Sequence, residues 1–416
     1  MNPGRHDVLV VGAGPAGASA AYWLANRGYD VCVVERFAIP RDKVCGDGLT
    51  PRAVRQLHDM GLADAMTAFH RYDSLRVAAH GTTLEMAWPE HPDFPAFGYV
   101  ARRSAIDEIV MANAVAAGVT LHESTEAVAP VVQRGMIRGA TVRQEASGVT
   151  TEIRAKYVVI ADGAASNFGR MVGTTRDRNY PLGLAVRGYY ASARSNEHTI
   201  ESGFDLRDRE GKSLPGYGWV FPLGDGTLNV GVGLMSTFRD WKSVNNQQLL
   251  REYTASIAAS WHIDPDRPLS EPIGGRLPMG GSISPKSGPT FLVVGDAAGT
   301  VNPFNGEGID YAYETGRLAA DVLHLALSTN DATALATYEP ALDDRYLLYF
   351  KVARLFSRII GQPAAMRELT RVGMHSRTLM EWALAIMSNM LRPDESGPAE
   401  KAYAAIESIV RRLPEP

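Results

Sequence analysis

Asp7-Val-Leu-Val-Val-Gly12-Ala-Gly14-Pro-Ala-Gly17 decides the fold. Residues 7–11 form a short apolar run, the pattern of a strand buried on both faces of a parallel sheet. The run passes directly into three closely spaced glycines. A helix is expected from Ala18 to Arg27, ended by Gly28, and a second strand from Tyr29 to Val34 closes on Glu35. Strand, glycine turn, helix, strand and acid, in that order, make a dinucleotide-binding unit. Gly12 permits the tight turn, Gly14 lets a pyrophosphate approach the backbone, and Gly17 lets the helix pack on the sheet; Pro15 and Ala16, between Gly14 and Gly17, are expected to bind the cofactor with them. The helix N-terminus offers unpaired N–H groups and a positive dipole end to the phosphates. Glu35, with Arg36 beside it, would take the ribose hydroxyls.

The bulk numbers exclude several classes. The chain has 416 residues, 45% hydrophobic and 21% charged, enough for a large core and two interlocked domains. A net charge of -4 gives no basic excess for nucleic acid. Two cysteines, Cys32 and Cys45, make neither a disulfide framework nor a metal cluster, and the ten histidines show no ligand spacing, so no metal is assigned. A reducing, cytoplasmic compartment is expected. The apolar stretch from Val8 to Ala25 is too broken by glycine for a membrane span and lacks the basic start of a signal peptide.

The fingerprint alone leaves NAD and FAD both open. Lys156-Tyr-Val-Val-Ile160 is another apolar strand, ending at Asp162, which organises its turn. Phe291-Leu-Val-Val294 is a further one, ending in Gly295-Asp296-Ala-Ala-Gly299. Asn302-Pro-Phe-Asn-Gly306-Glu-Gly308-Ile309 then opens a helix through Tyr313 and Leu318. Ligands bind at strand ends in such sheets. Asp296 is placed for a ribityl hydroxyl or, through water, a phosphate. Gly306 and Gly308 let backbone N–H groups approach a flat ring, and the helix end beside Ile309 would stabilise negative charge on a reduced flavin. These segments select FAD.

Four motifs carry a resemblance: the glycine fingerprint, Lys43-Val-Cys-Gly-Asp-Gly48, Pro215-Gly-Tyr-Gly-Trp-Val-Phe-Pro222, and Gly295-Asp-Ala-Ala-Gly299 through Asn305-Gly-Glu-Gly-Ile309. With them the chain resembles the geranylgeranyl reductase family, within the p-hydroxybenzoate-hydroxylase-like flavoproteins, over roughly residues 5 to 400. The resemblance implies a Rossmann-like α/β FAD-binding domain with an inserted antiparallel β-sheet substrate domain and C-terminal helices. The expected division is 1–75, 98–175 and 287–345 for the FAD domain, 76–97 and 176–286 for the sheet, and 346–416 for the helices. It also implies reduction of an isoprenoid C=C bond by reduced FAD, with one isoprene unit of the menaquinone tail as the expected target. A monooxygenase acting on a natural-product or isoprenoid scaffold is the alternative on the same fold. The flavin halogenases' Trp-x-Trp-x-Ile-Pro is replaced here by Tyr217-Gly-Trp219-Val-Phe221-Pro222, which argues against halogenation.

The expected strands Leu182 to Tyr190, His198 to Leu206, Gly218 to Phe221 and Leu228 to Met235 would lie over the flavin. Trp219, Phe221 and Met235 would then wall the substrate cavity, with Tyr217 alongside. Cys45, Gly46 and Asp47 form a loop expected beside the isoalloxazine, where the Cys45 thiol would relay a proton. Cys45, Tyr217 and Trp219 are the expected catalytic residues. From the resemblance, Arg103, opening the Ser104 to Ala117 helix, contacts the cofactor. Ala127, after the strand Thr120 to Glu126, touches it near adenine. Leu347 to Leu391 reads as amphipathic helix, rich in methionine at Met366, Met374, Met380, Met387 and Met390. Two readings stand: packing on the flavin domain, or a peripheral surface at the inner face of the cell membrane that admits a polyprenyl tail. No second glycine fingerprint follows, so the electrons come from a visiting NAD(P)H or from a donor protein.

Overall fold

The computed structural model describes residues 5–392 and 397–414. Residues 1–4 of the first expected domain, and 393–396 and 415–416 of the helical region, lie outside them. Four parallel strands, Phe291–Val293, Thr150–Ile160, Arg5–Val11 and Val31–Val34, run side by side, with Thr120–His122 parallel at the far edge. All four residues of Val31–Val34 are buried, as an apolar run covered on both faces requires. The strand Thr150–Ile160 serves two partnerships. Its first half pairs antiparallel with Met136–Gln144, and its second half runs parallel to Arg5–Val11.

The local differences from the sequence reading have physical causes. The first helix is Pro15–Ala25, starting on the glycine turn itself. Proline at a first helical position lacks only an N–H that would be unpaired anyway. The expected strand Thr120 to Glu126 divides into Thr120–His122 and Thr125–Gln133, broken at Ser124, whose φ of 48° is left-handed. Ala127 therefore lies in a strand pairing with Met136–Gln144.

Helix Pro15–Ala25 packs against the long helix Ile309–Thr329. The contact is backbone to backbone. A side chain at Gly316 would start 2.4 Å from the Ala16 carbonyl oxygen and 3.1 Å from the Ala20 nitrogen. Ser19 Oγ donates to the Tyr313 carbonyl at 2.8 Å across the same seam.

A second, seven-stranded sheet has the order Ile273–Pro278, Leu182–Ala191, Thr227–Met235, Gly216–Pro222, Thr199–Gly203, Ser74–Ala79, Thr82–Ala87. Its pairs are antiparallel except Thr199–Gly203 with Ser74–Ala79. Helix Asn246–Trp261 covers one face, burying Leu250, Tyr253 and Trp261 against Tyr190, Val220 and Val230. The period of two then turns Tyr217, Trp219 and Phe221 to the opposite face. Gly218, on the helix side, leaves room for Tyr253, whose ring would lie 2.2 Å from any side chain there. The C-terminal part is Tyr338–Ile360, Pro363–Met374, Arg377–Met387 and Pro398–Val410. Among the described residues no helix is long and apolar enough to cross a membrane.

Gly316→Ala should separate the two packed helices, costing about 1–3 kcal/mol. Thermal unfolding and the flavin content of the purified protein check this; an unchanged melting temperature would show that the seam has slack.

Candidate functional site

A cavity of about 580 Å³ opens where the two packed helices begin. Gly14, Pro15 and Ala16 line it from the first helix, and Gly306, Gly308 and Ile309 from the second. Neither N-terminus has a side-chain cap. Two sets of unpaired N–H groups and two positive dipole ends thus face one space, a site for negative charge. At Gly12, φ is 104° and a side chain would come within 2.5 Å of the Ala161 oxygen. At Gly17 it would sit 1.9 Å from the Gly12 oxygen. At Gly14 only Arg41 comes near, at 3.8 Å, so this backbone is open to a ligand. These residues fit FAD: the first turn for the pyrophosphate, the second for the flavin ring.

Glu35 ends the second strand, buried, with Oε2 accepting from the Ala13 N–H at 2.9 Å. Arg41 links it to Asp107, with contacts of 3.3 Å and 3.1 Å. Asp296 lines the cavity, 3.7 Å from Lys43 Nζ. Arg103 also lines it, held by Asp107 at 2.9 and 2.7 Å.

The loop carrying Cys45 and Gly46 crosses the cavity floor. Its anchor is Asp47, fully buried at a φ of 63°. The carboxylate accepts from the Arg103 N–H at 3.1 Å, Tyr189 Oη at 2.6 Å and Asn229 Nδ2 at 2.8 Å. Burial pushes its pKa up, while Tyr189 and Asn229 pull the other way. Burial likewise raises the Cys45 thiol, opposed by Arg103, so the sulfur keeps its proton at neutral pH. What forbids side chains at Gly46 and Gly48 is the Phe221 ring, 3.0 and 2.9 Å from where they would begin.

Tyr217, Trp219 and Phe221 form the ceiling, with centroid separations of 6.0 and 6.4 Å. The Trp219 indole lies over Gly231, where a side chain would meet it at 2.1 Å, and donates from Nε1 to Asn229 Oδ1 at 2.9 Å. Tyr217 Oη donates to the Asn305 carbonyl at 2.5 Å. Burial and the nearby Glu307 hold the Tyr217 phenol above its usual range. Beyond the ceiling the lining is apolar: Met86, Trp88, Met235, Met279 and Phe356, then Met366, Met374, Met380 and Met387 from the C-terminal helices.

The structure therefore gathers Gly14, Pro15, Ala16, Cys45, Gly46, Arg103, Tyr217, Trp219, Phe221, Met235, Asp296, Gly306, Gly308 and Ile309 around one cavity. It does not bring Arg36, Asp47 or Ala127 to the lining. Arg36 is exposed and stacks on Phe37, Asp47 is spent on the loop anchor, and Ala127 packs into the core beneath the sheet. Gly12 and Gly17 act inside the turn. Sequence reasoning missed Thr50, Tyr72, Trp88 and Glu307. Glu307 stood inside a quoted motif, whereas Tyr72 and Trp88 reach the cavity only through tertiary packing. Among the described residues no group of three or more His, Cys, Asp or Glu could hold a metal ion.

Residues 5–201 match the family model described as an FAD binding domain. The menaquinone reductase of Mycolicibacterium smegmatis is 38% identical over 412 residues, 98% of each chain. The digeranylgeranylglycerophospholipid reductase 2 of Methanopyrus kandleri is 30% identical over 365 residues, 86% of this chain and 87% of its own. This chain belongs to the geranylgeranyl reductase family. As a member it is an FAD-dependent oxidoreductase. A geranylgeranyl bacteriochlorophyll reductase-like protein from Thermoplasma acidophilum, 23% identical, has the same fold, with a TM-score of 0.78 over 97% of this chain and 99% of that one.

In this geranylgeranyl reductase family protein, Asp47→Ala should strand the Tyr189 and Asn229 donors, costing about 3 kcal/mol. Lower thermal stability and weaker FAD retention than wild type are expected; both unchanged would mean the loop is anchored elsewhere.

Proposed function

We propose that the protein reduces a C=C bond of an isoprenoid chain, with one isoprene unit of the menaquinone tail as its target. The observation that carries this reading is the cavity's division. One end converges on two helix N-termini suited to FAD. The other is a long aromatic and methionine-lined space offering an occupant little to hydrogen-bond. A linear polyene chain carrying methyl branches fits such a lining, since flexible thioethers adapt to irregular apolar shapes. The names of the curated relatives point the same way.

Bound and reduced, FAD supplies a hydride equivalent, delivered to it by NAD(P)H or a donor protein. The chain's own residues do the rest. Trp219 and Phe221, packed on the floor loop, wall the alkene's end of the cavity and exclude water. Tyr217 closes the ceiling beside Asn305. Cys45, protonated at Sγ, passes a proton to the second alkene carbon. Anaerobic chemical reduction of the bound flavin, followed by menaquinone and mass analysis, tests the reading: the quinone should gain two hydrogens. Reaction only after oxygen is admitted would favour the monooxygenase.

The tail needs an entrance. Leu369, Val372 and Leu379 line the cavity while being 47%, 52% and 44% exposed, so they belong to its rim and to the outer surface together. Arg367, Arg371 and Arg377 stand on the same helices against Glu368 and Glu381. An apolar rim with an arginine excess suits peripheral contact with an anionic lipid surface. Wild-type protein should sediment with phosphatidylglycerol vesicles, and Leu369→Glu/Val372→Glu should lower the bound fraction severalfold. Equal binding by both proteins would remove the rim from the reading.

A further inference from the structure

Saturating a C=C bond consumes one proton per turnover, so a site that holds a ready supply has work to do. The polar corner of the cavity contains Glu307, between Gly306 and Gly308. Its carboxylate accepts from Thr50 Oγ1 and, at 3.3 Å, from Asn305 Nδ2. Behind it stands Arg52, on helix Pro51–Asp59. The guanidinium is committed to Glu314 by contacts of 2.7 and 2.8 Å, and its Nε is 3.5 Å from Asp310 Oδ2. Tyr346 Oη also donates to Glu314, at 2.6 Å.

Asp310 is fully buried, and neither carboxylate oxygen has a hydrogen-bond partner. Three carboxylates thus share one guanidinium away from bulk water. Fully ionised, the group would carry two uncompensated negative charges, with buried Asp310 sharing its one nearby cation with Glu314. Low dielectric forbids that, so protons stay in the cluster. The other titratable groups facing Glu307 are Tyr72, Tyr217, Tyr311 and Tyr349, which bring no positive charge. Burial holds Glu307 well above the usual carboxylate range, towards neutral, and Asp310 further still.

Glu307 differs from Asp310 in one respect: it reaches the cavity, and Asp310 does not. Tyr217 lies between the two ends of the site. Its phenol senses both Glu307 and Cys45, and its oxygen is 3.3 Å from where a side chain at Gly306 would begin.

We propose that Glu307, at the polar corner of the cavity in front of the Asp310–Glu314–Arg52 cluster, is the proton reservoir that resupplies Cys45 during alkene reduction. The inference rests on the reductase reading. One alkene carbon receives a hydrogen with two electrons, the other receives the Cys45 proton, and the π bond is lost. The thiolate regains its proton from the Glu307 carboxyl. The carboxylate left behind is stabilised by Arg52 and Thr50 until water reprotonates it as the product leaves.

Infrared difference spectroscopy on the FAD-loaded enzyme at neutral pH should find a protonated-carboxyl band that Glu307→Gln removes while the flavin absorbance stays intact. In multiple-turnover reduction of menaquinone by the FAD-loaded enzyme, with excess dithionite as the electron source, each turnover after the first needs the thiol resupplied, and the rate should fall as pH rises through neutrality. Glu307→Gln should be at least tenfold slower and lose that limb, and Glu307→Asp should recover part of both. Absence of the carboxyl band in wild type overturns the proposal whether or not quinone is reduced. So does a Glu307→Gln enzyme with the wild-type rate and pH limb. A wild type that keeps the band but never reacts with menaquinone overturns the reductase reading, and with it the destination assigned to the proton.

Discussion

Everything at the site depends on how closely helix Pro15–Ala25 approaches helix Ile309–Thr329. With no side chain at Gly316, the second helix lies on the Ala16 and Ala20 backbone of the first. Two dipole ends that would otherwise repel are brought to one space, and the packing energy of the small residues holds them there. The positive potential they create is what an anionic cofactor relieves, so helix packing and cofactor affinity are two sides of one contact. The Asp296 turn and the Glu307 corner lie directly against these two helix starts.

The site is divided by dielectric. Around the helix starts lie the charged side chains, most of them tied into pairs: Glu35 and Asp107 with Arg41, and Asp107 with Arg103. Past Trp219 the lining becomes aromatic and aliphatic. A substrate with an uncharged tail can lie in the second half without disturbing the first.

Much of this was legible in the sequence because the deciding contacts are local. The glycine turn, the apolar strands and the alternation in Tyr217-Gly-Trp219-Val-Phe221 each carry their cause within a few residues. Asp47 was harder to read. In Cys45-Gly-Asp47-Gly it looks like a ligand-facing acid, yet partners from residues 103, 189 and 229, far along the chain, turn it inward. The glycines beside it reflect the Phe221 ring, again a tertiary cause. Tyr72 and Trp88 gave no local signal, because the pairing of Thr199–Gly203 with Ser74–Ala79 is what brings their segment to the cavity. The methionines of the C-terminal helices were visible as composition, but only the folded chain turns Met366, Met374, Met380 and Met387 to the lining and leaves Met390 buried outside it.

Both amide hydrogens and the carbonyl oxygen of Asn229 are engaged. Its amide nitrogen donates to the Cys45 carbonyl at 2.9 Å and to Asp47, while its oxygen receives the Trp219 indole N–H. One side chain therefore fastens the ceiling to the floor. Changes on the two surfaces will not be independent: a smaller residue at 219 frees the acceptor that orients the amide, and the loop below loses its registration. Substitutions at 45, 47, 219 and 229 should behave epistatically, each tolerable only against particular partners. Any attempt to widen this enzyme's range by carving the ceiling alone meets that linkage first, so altered selectivity must be sought in combinations that redesign the amide together with the groups it joins.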